Sequence, residues 1–156
     1  MSNYSPTWID RNIWLIINST IRLYPLMYVQ LVDGEDEIMN SHIKPESNIS
    51  SGYVSDPTAS IAIRLVDNRH LKELNRKCEA INYCLSQLSP DHHKVVCLRF
   101  WGTESTDEAY KLARSGIALC GFRYEDMKRA AGYSDRQAKR IIHKLVIDVG
   151  KNLGEI

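Results

Sequence analysis

The stretch "RYEDMKRAAGYSDRQAKRII", from Arg123 to Ile142, decides how this chain is read. Two short basic segments flank Gly132, and Ser134 stands two residues beyond it. Ser134 is a natural N-cap, because its side-chain oxygen can accept a backbone N–H of the first helical turn. Asp135 follows, where the positive end of a helix favours an acid. Gly132 can take the positive φ that ends one helix and turns the chain. The stretch therefore predicts helices at about Tyr124–Ala131 and Ser134–Leu153, joined as a helix-turn-helix. In that arrangement the second helix enters the DNA major groove by its N-terminal turns. Asp135, Arg136, Gln137, Lys139 and Arg140 are the positions expected to face outward there, beside the cap Ser134. Ala138, Ile141, Ile142 and Leu145 are expected to face the core. Arg reads guanine O6 and N7, and Gln reads adenine N6 and N7. Arg136 and Gln137 are thus the expected base readers, assisted by Lys139 or Arg140. Arg123, Lys128, Arg129 and Lys144 are the expected phosphate contacts. The bland alternative is a solvated charged face on two ordinary amphipathic helices.

Charge along the chain supports the sharper reading. The net charge of +1 hides a gradient. Residues 1–60 carry three Lys/Arg against seven Asp/Glu, whereas residues 121–151 carry eight against four. A basic C-terminal surface is what polyanion binding needs.

Working back from the decisive stretch, the pattern is helical throughout. Ser105 or Thr106 caps a short helix that ends near Gly116, and "IALCGF" is an apolar connector to Arg123. Ser89 caps another, with Pro90 and Asp91 in its first turn and Gly102 as its stop. From Thr58 to Leu88 an apolar stripe runs through Ile61, Leu65, Leu71, Leu74, Cys78, Ile81 and Leu85, as one long helix or two with a bend near Asn68. Pro57 and Thr58 open it, after Asp56 as its cap. "SHIKPESNISSGYVSDPTAS", residues 41–60, reads as a linker or surface loop. Asp10 to Leu23 predicts a helix that stops near Tyr24, because Pro25 follows. A second helix then begins at Pro25 with Leu26, Val29, Val32 and Ile38 near one face and a break open at Gly34. No strand pattern appears, so the expected fold is all-α.

The chain shows no signal-peptide pattern, and its uninterrupted apolar runs fall well short of a span of roughly 20 residues. Cys78, Cys84, Cys97 and Cys120 form no CxxC pair and lie in helical or near-helical segments, which points to a reduced cytosol. His93 and Cys97 are one turn apart, but no second pair is near, so no metal is expected. Glu35, Asp36 and Glu37 read as a solvated acidic face. Trp8, Trp14 and Trp101 read as core or interface anchors. No phosphate loop, nucleophile elbow or HxxxH pair is present, and neither an enzyme nor a cofactor is expected.

Three stretches, "YVSDPTASIAIRL", "CLSQLSPDHHKVVCLRFW" and "GYSDRQAKRIIHKLVIDVGKNLG", follow in this order. Together they resemble the ArpU/RinA-type phage transcriptional regulators of Gram-positive bacteria, whose C-terminal part is similar to region 4 of bacterial sigma factors. The resemblance covers roughly residues 25–154, weakly before Tyr53. It implies an acidic helical N-terminal region and linker over 1–55. It implies a sigma-region-4-like DNA-binding domain over 56–156, with a helix inserted near 105–115. It further implies a phage or prophage regulator in the bacterial cytoplasm that binds double-stranded DNA and activates late genes. The N-terminal part would form a homodimer or touch host RNA polymerase. Two departures stand out. Lys128, four residues before Gly132, occupies a position that is small and packed in sigma-like proteins. The segment from Trp101 to Tyr124 is long. Rival readings are a small terminase subunit, which packages DNA as a ring, and a polymerase-binding antiterminator without its own operator.

Overall fold

The computed structural model describes residues 5–40 and 68–156, with side chains described to Asp36 in the first segment. The fold is all-α, with no strand among the described residues. The helices are α1 (Arg11–Asn40), α2 (Arg69–Ser86), α3 (Pro90–Trp101), α4 (Thr106–Arg114), α5 (Met127–Ala131) and α6 (Asp135–Leu153). A 3-10 turn, Tyr124–Asp126, leads into α5. The predicted linker at 41–60, the Asp56–Pro57 opening, Ile61 and Leu65 lie outside the described residues.

The largest departure from expectation is α1. It does not stop at Tyr24; one helix of thirty residues runs through Pro25. Proline inside a helix removes the N–H that would bond to the carbonyl four residues back, here that of Ile21. The indole Nε1 of Trp101 donates to this carbonyl instead, at 3.1 Å in a buried setting. The gap left by Pro25 is thus filled from α3. Asp10 caps the start, its carboxylate accepting Asn12 N–H at 2.8 Å. The helix also continues through Gly34, where Leu71 of α2 lies close against the backbone.

Because α1 is continuous, its inner face is set by Trp14, Ile17, Ile21, Tyr24, Met27 and Leu31, all buried. These repeat every three or four residues, as one face of a helix requires. The expected face built on Leu26 is therefore corrected. Val29 is buried, but Val32 is half-buried and Leu26 lies on the outer side. Ile38 falls outside the described side chains. Joining the two apolar stretches also makes Arg11–Asp36 long and apolar enough, by composition, to cross a bilayer. Here its inner face packs against the other helices.

The caps follow the sequence closely. Ser89 Oγ accepts His92 N–H, and Gly102 ends α3 with φ +70°. Ser105, not Thr106, caps α4 by accepting Glu108 N–H. Asn68 caps α2 by accepting Leu71 N–H at 3.0 Å, so a helix begins where a bend was open.

One hydrophobic cluster joins α1, α2, α3 and α6, with Ala109 from α4 and Met127 from α5. Helix α4 docks on α1 through aromatic side chains. Tyr110 stacks on Tyr28 with centroids 4.2 Å apart, and its hydroxyl meets that of Tyr24 at 2.6 Å. Burial, then this hydrogen bond, raises the Tyr24 phenol far above its ordinary range. Arg114 adds an exposed ion pair to Asp33 at 3.1 Å, a contact of small energetic weight. Trp14 and Trp101 are core anchors as expected, whereas Trp8 is 61% exposed.

Cysteines divide in the same way. Cys78, Cys84 and Cys97 are buried thiols, while Cys120, in the connector after α4, is exposed and not buried like the other three. Burial pushes Cys97 up to about 12. Its Sγ lies 3.6 Å from His93 Nδ1, and burial lowers that imidazole below its ordinary 6.5. Among the described residues no group of three or more His, Cys, Asp or Glu side chains is placed to hold a metal ion.

Candidate nucleic-acid interface

The segment from Tyr124 to Leu153 forms a corner. α5 ends at Gly132, which has φ +77° and donates its N–H to the Lys128 carbonyl at 2.9 Å. A side chain at Gly132 would meet no atom within 4 Å, so the glycine serves backbone conformation and not space. Tyr133 then packs edge-on to His92 of α3, centroids 6.0 Å apart. This ties the corner to the body.

Ser134 starts α6 with a full capping box. Its Oγ accepts Gln137 N–H at 3.2 Å, and Gln137 Oε1 accepts Ser134 N–H at 3.0 Å. Both partners satisfy backbone donors that the helix leaves open. Gln137 is therefore placed differently from the expectation of a free base reader. Its carbonyl is occupied, and its amide NH2 remains for an outside acceptor. We expect Ser134→Ala to destabilise the protein by about 1 kcal/mol, read as a lower midpoint in urea. An unchanged midpoint would contradict the capping role.

Beyond the cap, α6 buries one face and exposes another. Ala138, Ile142, Leu145, Val146 and Val149 are buried, as is Met127 from α5. Ile141, also expected inward, is half-buried. Lys128 is exposed, and Met127 is the α5 residue that is buried in the corner.

The exposed face is basic. Arg136, Arg140 and Lys144 lie four residues apart and are all exposed, so they form one stripe. Lys151, one further pair of turns along, continues it and was not singled out by sequence reasoning. Its signal is the heptad spacing from Lys144. Among the described residues none of these four forms an ion pair. Lys128 and Arg129 are exposed on α5, Arg129 with a loose pair to Asp126 at 3.5 Å.

Two predicted residues belong to a different face. Lys139 is half-buried, pairs with Asp135 at 3.4 Å, and stands 5.5 Å from the centre of the Tyr124 ring. Arg123 lines the same side, in a cavity shared with Arg22 of α1 and Arg99 of α3. The geometry thus brings Arg136, Arg140 and Lys144 together and separates Arg123 and Lys139 from them. His143, between the two faces, packs edge-on to Trp14 at 5.1 Å. Burial, then the Lys139 charge, lowers its pKa below the ordinary 6.5.

Comparison with protein-family models, with curated proteins and with solved structures finds no match to this chain.

Proposed function

We propose that this chain is a sequence-specific duplex DNA-binding protein that regulates transcription, with α6 as its reading helix. The observation that carries this is the stripe of Arg136, Arg140 and Lys144, which form no ion pair among the described residues and are exposed on a helix whose start follows a glycine corner. Unpaired guanidinium and ammonium groups at helical spacing fit phosphates and guanine edges. The capping box holds the first turn, the backbone from which Arg136 projects. The resemblance noted above refines the proposal to an ArpU/RinA-type, sigma-region-4-like activator of phage late genes.

A protein partner on α1 is a second part of the same reading. Ile16, Leu23 and Leu26 are exposed at 57%, 52% and 42%, on the face opposite the core. Such a face suits a second copy or host RNA polymerase. Mass by light scattering separates the rivals: a regulator runs as monomer or dimer, a small terminase as a ring of many subunits. Selection from a random duplex pool tests the main reading. One enriched motif is expected; an unenriched pool after several rounds would count against it and favour the antiterminator without an operator.

A further inference from the structure

A cavity of about 510 Å³ lies between the body and the corner. It is lined by Arg22 from α1, Arg99 and Phe100 from α3, Arg123 and Tyr124 from the 3-10 turn and its approach, and Lys139 from α6. We propose that this cavity binds a small phosphorylated ligand. The site is independent of the DNA reading of α6, since the exposed stripe of Arg136, Arg140 and Lys144 does not line it.

Charge makes the first case. Four cationic side chains line one concavity against two carboxylates, Glu125 and Asp135. Asp135 is already matched to Lys139 at 3.4 Å. Among the described residues Arg22, Arg99 and Arg123 form no ion pair. Three guanidinium groups with only Glu125 left to balance them leave an excess of positive charge, and a planar fork of N–H donors matches phosphate oxygens in pairs.

Pre-organisation makes the second. Arg99 is half-buried and its guanidinium lies 4.3 Å over the Tyr124 ring. Nη1 donates to the Phe122 carbonyl at 3.3 Å, while Nε is covered and has no acceptor among the described residues. An arginine that is clamped but so little hydrogen-bonded is held for something else. The clamp arises from a close backbone crossing. Phe122 N–H donates to the Leu98 carbonyl at 2.9 Å, and Gly121 sits directly on the Arg99 backbone, where any side chain would collide. Phe100 and Leu119 add an apolar wall. A volume of this size is that of an ordinary small-molecule site. Because the lining comes from α1, α3, the 3-10 turn and α6 together, a bound ligand would bridge body and corner.

Pyrophosphate is the probe. Calorimetric titration of the full chain is expected to give saturable binding. The melting temperature is expected to rise above that in sodium chloride of equal ionic strength. Arg22→Gln, at an exposed position on α1, is expected to weaken this binding roughly tenfold, as loss of a charge-assisted pair does. Arg99→Gln is expected to weaken it at least as much. No response beyond that to sodium chloride would overturn the proposal. So would binding that both variants leave unchanged. A third outcome, duplex DNA binding weakened by Arg22→Gln with no response to pyrophosphate, would also overturn it and place the cavity on the path of a DNA backbone.

Discussion

Trp101→Phe is expected to destabilise the protein by roughly 2–4 kcal/mol, from a lost buried hydrogen bond and an underfilled site. The physical chain starts at Pro25. Proline cannot donate to the Ile21 carbonyl, and that carbonyl is satisfied by Trp101 Nε1 at 3.1 Å. Phenylalanine retains an aromatic ring but not the donor, so Ile21 is left with a buried, unpaired acceptor. Trp101 is 1% exposed, so no water stands ready to replace it. The decisive control is Pro25→Ala, which restores the intrahelical N–H. In the Trp101→Phe background Pro25→Ala is expected to recover about 1 kcal/mol, the net value of one such bond. In the parent protein the same change gains less, because the carbonyl already has a partner. Equal effects of Pro25→Ala in both backgrounds would show that the two sites do not communicate. Urea denaturation of the four proteins measures this directly.

Arg136→Ala carries the largest expected effect on binding. If Arg136 reads a guanine edge by two hydrogen bonds, its loss should weaken specific binding by about 1–3 kcal/mol. Preference at one base position should relax at the same time. Lys144→Ala should act differently. A phosphate contact contributes equally to all sequences, so the loss is uniform and the salt dependence becomes shallower by about one ion. Arg136 is exposed and outside the core, so its loss should leave the urea midpoint unchanged. A variant that binds its site as tightly as the parent would remove Arg136 from the reading set.

How much of this was legible in the sequence follows the range of the interactions. Ser89, Ser105, Ser134 and the stops at Gly102 and Gly132 are local chemistry, and each helix boundary near them lies where the residues predict. Pro25 reads as a helix stop because its compensation comes from Trp101, on another helix. Nothing within α1 announces it. Once that helix is continuous, the inner face shifts to Ile17, Ile21 and Tyr24, and Leu26 moves outside. In α5, only five residues long, Met127 turns inward and Lys128 outward. The basic residues were visible as a charge excess, but their division was not. Lys139 and Arg140 are neighbours in sequence, yet one faces the cavity with Arg22 and Arg99 while the other joins Arg136 and Lys144. Helical geometry makes that division. The cavity itself unites residues 22, 99, 123 and 139, a grouping that only tertiary packing creates. Gln137 was legible as a polar outward residue; its part in the capping box depends on the spacing Ser-x-x-Gln, which the sequence does contain.

The central claim is that the α6 stripe binds duplex DNA at a particular sequence. Fluorescence anisotropy with labelled fragments of the genome that encodes this chain, at a low and a near-physiological salt concentration, tests it most directly. The account predicts tight binding to one upstream fragment over the others, weakened as salt rises because phosphate contacts release counterions. Weak binding of equal strength to every fragment, or no binding to any, would contradict it.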